Sequence, residues 1–297
     1  MLADEVRTSS FMQAILATVN AGDVVVDIGS GTGVLSLFAV RAGASRVYAI
    51  EREPVIDIAR EIAAHNEMLN SIVFIEGSSR DVEIPELADV LITETIGNIG
   101  FDEGIITWVA DAKKRFLRPD AAILPQRVDV VACLVSVPRD YRPVERWSQP
   151  LMTLDFSPLS RIVRNNVLWT DLSPAAITSQ PAVVFGTDFA AEPETLSGTV
   201  HAEALNDAVV HGIGLWFRSS LAPNTSITNS PPNAVPSWEQ GFLPLYEPIE
   251  VHAGEPVHFE VSSTASGDEW TWQVGSGPTH STANGGLAAR KIMERLD

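Results

Sequence analysis

Short apolar, β-branched runs alternate along the first part of the chain with stretches whose apolar positions recur every three or four residues. Runs at residues 24–28, 46–50, 72–75 and 88–93 predict buried strands. Between them, residues 35–41, 54–66 and 103–116 carry the helical period, and Pro54 is well placed at a helix start. Strand and helix in alternation predict βαβ units and a parallel sheet. From about residue 128 the texture changes to β-rich runs separated by turn clusters, at 128–137, 209–218, 248–251 and 269–274. That predicts an antiparallel sandwich or barrel. Residues 219–236, dense in Pro, Asn, Ser and Thr, predict a long exposed loop, and 275–286 a flexible tail segment. No internal repeat is evident.

Length and composition fit two packed domains, placed at 1–127 and 128–297, in a chain of 297 residues that is 45% hydrophobic and 20% charged. The single cysteine, Cys133, falls in an apolar run and reads as a buried strand residue, so no disulfide framework is available. The start of the chain, with Asp4, Glu5 and Arg7, has no leader pattern, and no apolar run approaches the length of a membrane span. A cytoplasmic protein is expected. The net charge of -18 argues against nucleic acid and anionic membrane as partners and weakly favours cationic ones, with simple solubility as the competing explanation.

The sequence Asp27-Ile28-Gly29-Ser30-Gly31-Thr32-Gly33 follows a predicted strand and opens a predicted helix. Gly29, Gly31 and Gly33 permit a tight turn and close approach of a ligand to the backbone. Glu51 ends the second strand about twenty residues on, where a carboxylate can accept both ribose hydroxyls of a nucleoside. S-adenosylmethionine fits this loop best. A dinucleotide is the rival, but its third glycine would stand where Val34 is, and a loop without a cofactor is the third reading.

After the fourth strand the chain reads Thr93-Glu94-Thr95-Ile96-Gly97-Asn98-Ile99-Gly100-Phe101-Asp102-Glu103-Gly104. Glu94 leaves the carboxyl edge of the sheet, Glu103 is expected to open the next helix, and the glycines between them allow a hairpin. Two carboxylates turned toward one point need a cation between them, or one of them takes up a proton. A guanidinium is planar, stays charged and matches carboxylates in a bidentate way, so the pair points to an arginine-like substrate. Chance spacing of two acids in an acidic chain is the competing explanation.

With these residues in hand, the chain resembles the protein arginine methyltransferases over nearly its whole length. Residues 1–8 are similar to the family's segment before the cofactor domain, and residues 27–33 to its glycine loop. Glu94 and Glu103 fall on its double-glutamate hairpin, and Ser237-Trp238 on its Thr-His-Trp loop. The resemblance implies a class I methyltransferase α/β fold, a Rossmann-like parallel sheet followed by an antiparallel β-barrel domain, with residues 145–171 as a helical dimerisation arm. It implies that Arg7 meets the donor's carboxylate, Glu51 its ribose, and Ser79 and Arg80 its adenine. A homodimer follows, with a guanidino acceptor in a protein or a free metabolite.

Departures from the family pattern bear on mechanism. The chain begins at Met1 without the aromatic helix that precedes this segment in the family, so closure over the cofactor would fall to a partner, to the substrate or to nothing. Ser237 stands where the family has the histidine that pairs with an aspartate matching Asp4. Thr95, Ile96 and Asn98 stand where the family usually has Trp, Met and Tyr, and Ile105 where a methionine is common, so mono-, symmetric and asymmetric dimethylation all remain open, as does a smaller guanidino substrate. No metal site is expected, because His201, His211, His252 and His258 lack ligand spacing. Methyl transfer to another small-molecule acceptor, or a weakly catalytic dimeric binding protein, are the competing functional readings.

Overall fold

The structure, a computed structural model, describes residues 2–191, 195–232 and 235–285. The first half runs α1 (Glu5–Thr18), β1 (Val24–Ile28), α2 (Val34–Ala42), β2 (Arg46–Glu51), α3 (Val55–His65), β3 (Ile72–Glu76), β4 (Ala88–Thr93), α4 (Ile105–Arg115) and β5 (Leu117–Leu124). The five strands form a parallel sheet in the order β3-β2-β1-β4-β5. The four expected strands and three crossover helices are all present. The chain builds outward from β1 through β2 and β3, then returns to place β4 on the other side of β1. That reversal opens a crevice at the carboxyl ends of β1 and β4, the usual ligand position in such sheets. Central strand β1 is buried along its whole length, which is why it reads as an unbroken apolar run around Asp27.

The second half runs β6 (Arg127–Val135), α5 (Arg142–Arg146), α6 (Ser157–Arg164), β7 (Leu168–Thr170), β8 (Ala182–Asp188), β9 (Ser197–Glu203), β10 (Ala208–Ala222), β11 (Thr225–Thr228), β12 (Gln240–Val251), β13 (Pro256–Ser263), β14 (Trp270–Val274) and β15 (His280–Ser281). Hydrogen bonding sorts these into two antiparallel ladders, β7-β12-β10-β6-β8 with β11 on β10, and β15-β14-β13-β9. Both ladders turn apolar side chains to one core, including Val130, Leu215 and Leu243 from the first and Phe259, Val261 and Trp272 from the second. The edges of β8 and β9 nearly meet, since a Cβ on Gly198 would lie 1.9 Å from the Val184 carbonyl oxygen. Cys133 lies buried in β6, where burial pushes its thiol up to about 12.

Two expectations are corrected. Residues 219–236 are not an exposed loop throughout: β10 continues to Ala222, turns, and pairs with β11, and Ser219 and Asn229 are fully buried. Within 275–286, the strand β15 pairs with β14, and buried His280 stacks on Trp272 with centroids 5.1 Å apart. Gly286 lies outside the described residues. The segment 145–171 holds the end of α5, all of α6 and β7, and β7 pairs with β12 at the sheet margin. Inside it Trp147 faces Phe156 at 6.2 Å, and Met152 at its turn is 87% exposed.

Candidate active site

The glycine loop caps β1 at the crevice. Gly29, Gly31 and Gly33 have φ of +72°, +53° and +76°, a region that L side chains rarely enter, so three turns of this sense in five residues require glycine. Gly33 also sits against α3, where an added Cβ would lie 3.2 Å from Ala59. Glu51 is fixed at the end of β2: its Oε2 accepts from the Gly31 amide at 2.8 Å and its Oε1 from the Glu53 amide at 2.9 Å. The carboxylate is thereby aimed along the loop before any ligand arrives.

Asp27 lies beneath the loop. It is fully buried, accepts from the Ser36 hydroxyl at 2.6 Å, and burial pushes its carboxyl up to about 7. Among the described residues, its Oδ1 and the buried Ser30 hydroxyl have no hydrogen-bond partner. Ser79 is buried after β3, and its carbonyl accepts from Arg115 on α4 at 2.7 Å. Arg80 lays its guanidinium over the Trp108 ring, 4.3 Å from the centroid. The same helix therefore fixes the Ser79-Arg80 turn at two places.

Glu94 leaves β4 into a tight hairpin closed by the Gly97 and Gly100 bridge. Asp102 braces it from within, accepting the Asn98 amide at 3.2 Å and the Ile99 amide at 3.0 Å. There is no room for a side chain at Gly97, where a Cβ would sit 2.0 Å from the Asp102 carboxylate. Glu103 was expected to open the next helix, but Gly104, with φ of +75°, caps α4 and leaves Glu103 one residue ahead of it. The Glu103 carbonyl accepts from the Trp108 indole at 3.0 Å.

The second half of the molecule completes the hairpin's setting. The Trp238 indole donates to the Ile96 carbonyl at 2.9 Å, and Trp238 packs edge-on against Phe217. Buried Asn229 donates to the carbonyls of Asn98 at 2.8 Å and Glu239 at 2.6 Å, while its oxygen accepts the Phe217 amide at 2.9 Å. The Asn98 oxygen in turn accepts the Glu239 amide at 2.9 Å. Asp102, Asn229, Trp108 and Arg115 were not singled out from sequence. The Asn98 and Asp102 spacing was a readable turn signal, whereas Asn229 sat in a stretch whose composition reads as solvent-exposed.

Arg7, on α1, reaches the same point. Its guanidinium pairs with the Glu94 carboxylate and lies over the Trp238 ring, 4.1 Å from the centroid. Both partners are largely buried, with side-chain exposures of 12% and 6%. Burial pushes the Arg7 guanidinium down to about 10, against the opposing charges of Asp4 and Glu103, so it remains a cation at neutral pH. Among the described residues, Arg7 Nε and Glu94 Oε1 have no hydrogen-bond partner. Asp4 caps α1 by accepting the Arg7 amide at 3.0 Å, and its second oxygen accepts from the Ser237 hydroxyl. Burial works to raise the Asp4 carboxyl. Hydrogen bonds from Arg7 and Ser237 and the charge of Arg7 outweigh it and hold the group below its ordinary value.

The structure thus brings Arg7, Glu94, Ser237 and Trp238 together, with the charge of Glu103 acting on Arg7. It sets Asp27, the glycines and Glu51 along one side, and Ser79 with Arg80 beyond them.

Comparison with known proteins gives matches across most of the chain. Residues 6–123 match the family described as ribosomal protein L11 methyltransferase, and residues 129–271 that described as arginine methyltransferase oligomerization subdomain. The chain is 27% identical to protein arginine N-methyltransferase 6 of Xenopus tropicalis over 281 residues, covering 90% of this chain and 83% of the relative. Against the probable protein arginine N-methyltransferase 6.2 of Oryza sativa subsp. indica it is 28% identical, covering 90% and 78%. Among solved structures, the PRMT1 enzyme-prozyme heterotetrameric complex of Trypanosoma brucei with AdoHcy aligns with a TM-score of 0.85 at 24% identity, over 95% of both chains. Arabidopsis thaliana protein arginine methyltransferase 10 aligns at 0.80 and 22%, over 95% and 96%. These two likenesses establish a shared fold.

Proposed function

The chain belongs to the protein arginine N-methyltransferase family, and from that premise we propose that it transfers a methyl group from S-adenosylmethionine to a guanidino nitrogen held by Glu94 and Glu103. The observation that carries the reading is Arg7. A guanidinium already rests against Glu94, under the charge of Glu103 and on the face of Trp238, so this corner of the molecule accommodates the group that an acceptor would present.

The residues present fit the cofactor. The left-handed glycines let a nucleoside approach the backbone, Glu51 is preset for ribose hydroxyls, and buried Arg7 Nε offers an unmatched donor for a carboxylate. Ser79 and Arg80 are assigned to the adenine end, and Asp27 supports the loop from below. The cofactor supplies an electrophilic methyl group on a sulfonium.

Glu94 and Glu103 orient the acceptor by accepting its N–H groups, with Glu94 Oε1 buried and open for one of them. Two carboxylates draw positive charge away from the reacting nitrogen, raising its nucleophilicity, and alignment supplies the rest of the rate. The proton that the product guanidinium sheds leaves from a nitrogen already hydrogen-bonded to Glu94. Ser237, bonded to Asp4, takes the place of a ring that could accept a proton, so the transfer runs on positioning.

The domain division at 127 and 128 and a homodimer built through the arm at 145–171 belong to the same proposal. Exposed Met152 and Leu154 at the arm's turn support it, as apolar side chains that a partner would cover. Among the described residues no helix is long and apolar enough to cross a membrane. A cytoplasmic, soluble protein acting on basic substrates is consistent with the charge of -18.

The test is product mass spectrometry with S-adenosylmethionine and arginine peptides, free arginine or simple guanidines. Glu94→Gln and Glu103→Gln should each lower kcat by about 10²–10³-fold, as loss of one preorganised electrostatic contact does. Full activity in both variants would sink the clamp.

A further inference from the structure

The outer face of the ladder β15-β14-β13-β9 carries polar side chains that the proposed reaction does not use. Strands β9 and β13 pair antiparallel, and their register sets His201 directly opposite His258. Two of the chain's six histidines, far apart in sequence, thereby share one face of a sheet. Spacing along the chain carries no sign of the pair, because strand pairing makes it.

Both side chains are exposed, and their rings lie 27° from parallel with centroids 6.0 Å apart. Among the described residues neither ring takes part in a hydrogen bond or an ion pair. The other four differ: His65, His211 and His280 each use Nδ1 on a backbone group, and His252 lies 3.6 Å from the Asp207 carboxylate. Directly opposed side chains on one face start from Cβ atoms about 4.5–5.5 Å apart. An ion held at about 2.0–2.1 Å by one nitrogen of each ring would set the ring centres about 5 Å apart. A turn about χ2, a soft torsion in histidine, closes the difference.

Glu203 follows His201 on the same face of β9, and Glu260 follows His258 on that of β13, so a carboxylate stands on each side of the pair. Among the described residues no three His, Cys, Asp or Glu are gathered closely enough to hold a metal ion. The protein therefore offers two nitrogens, and water fills the remaining positions in the open depression lined by His201, Glu203, Pro256 and His258.

We propose that His201 and His258 form a two-imidazole site for a late first-row transition-metal dication, with the flanking glutamates offsetting its charge. Imidazole ligands select Cu(II), Ni(II) and Zn(II) over Mg(II), and Cu(II) binds tightest of these. The site is separate from methyl transfer and does not depend on it. An ion there clasps edge strand β9 to β13 and binds the folded chain alone, so it raises the melting temperature.

The test is calorimetric titration of tag-free, chelator-stripped protein with Cu(II), Ni(II), Zn(II) and Mg(II) chlorides. One Cu(II) should bind per chain, Ni(II) and Zn(II) more weakly and Mg(II) not at all. His201→Gln and His258→Gln should each weaken Cu(II) binding by more than about tenfold, a loss that even an outer contact can cause at such sites. The double substitution should add little to either, since one imidazole does not hold the ion alone. His252→Gln, which removes an exposed imidazole elsewhere, should leave binding unchanged. Without metal all four variants should melt with the wild type, and Cu(II) should raise the melting temperature only of the wild type and His252→Gln. Electron paramagnetic resonance of the bound Cu(II) should show two imidazole nitrogens. Absence of Cu(II) binding, binding that survives loss of either His201 or His258, or a spectrum without two such nitrogens would overturn the inference.

Discussion

Single side chains in this site do work that their neighbours make measurable. Asp27 is the clearest case, because its carboxyl is raised to about 7 by full burial while an unfolded chain would hold it near an ordinary value of about 4. Below about pH 4 both states carry the proton and the full contribution to stability is present. As pH rises toward 7 the unfolded state has lost its proton while the folded state keeps it, so this contribution declines and is gone above the folded value. Asp27→Asn keeps the shape and the acceptor for Ser36 but has nothing to titrate. Relative to wild type, its melting temperature should therefore climb as pH goes from 5 to 8. A difference that stays flat over that range would show that Asp27 does not titrate in this window. The acidic loop residue was legible from sequence, and its burial was implied by the apolar run around it. Its pairing with Ser36 was not, because that contact forms only when the first turn of α2 closes over the end of β1.

At the scale of elements, the hairpin between β4 and α4 is one place where the two halves of the chain are joined by hydrogen bonds. Asn229 holds three backbone groups from separate segments, at Phe217, Asn98 and Glu239, and all of them lose their partner in Asn229→Ala. That change should destabilise the protein by about 2–4 kcal/mol, measured by denaturant unfolding, since several buried polar groups are left unsatisfied. A loss under 0.5 kcal/mol would mean that water replaces the amide. The sheet elements were readable because β1, β2 and β4 are buried on both faces and spell near-continuous apolar runs. β5 was not, because this edge strand carries Arg118, Pro119 and Asp120 in its exposed part. α1 was missed as a helix for a related reason: its Thr8, Ser9 and Ser10 are weak helix formers, and its cap and tertiary contacts set it in place. The hairpin of β10 and β11 was hidden in a polar stretch, where Asn229 and Ser219 are buried to bond backbone rather than exposed to water.

Over the whole molecule, charge and site act in the same direction. The 38 acidic and 20 basic side chains leave a net charge of -18, and the proposed acceptor is a cation that must be brought to a pair of carboxylates. A field of this sign raises the rate at which cationic substrates arrive and is screened within a Debye length of about 10 Å at 0.1 M salt. Buried contacts such as that between Arg7 and Glu94 are screened far less, so salt should act on arrival and leave the chemistry nearly untouched. Two peptides with the same central arginine separate these effects, one flanked by lysines and one by glycines and a balancing glutamate. For the lysine peptide, kcat/KM should fall about tenfold or more between about 0.05 and 0.5 M salt, through KM rather than kcat. For the neutral-flank peptide the fall should be several times smaller. Equal salt dependence of the two peptides would show that the acidic surface does not steer substrate, and that selectivity lies wholly in the hairpin with its two glutamates.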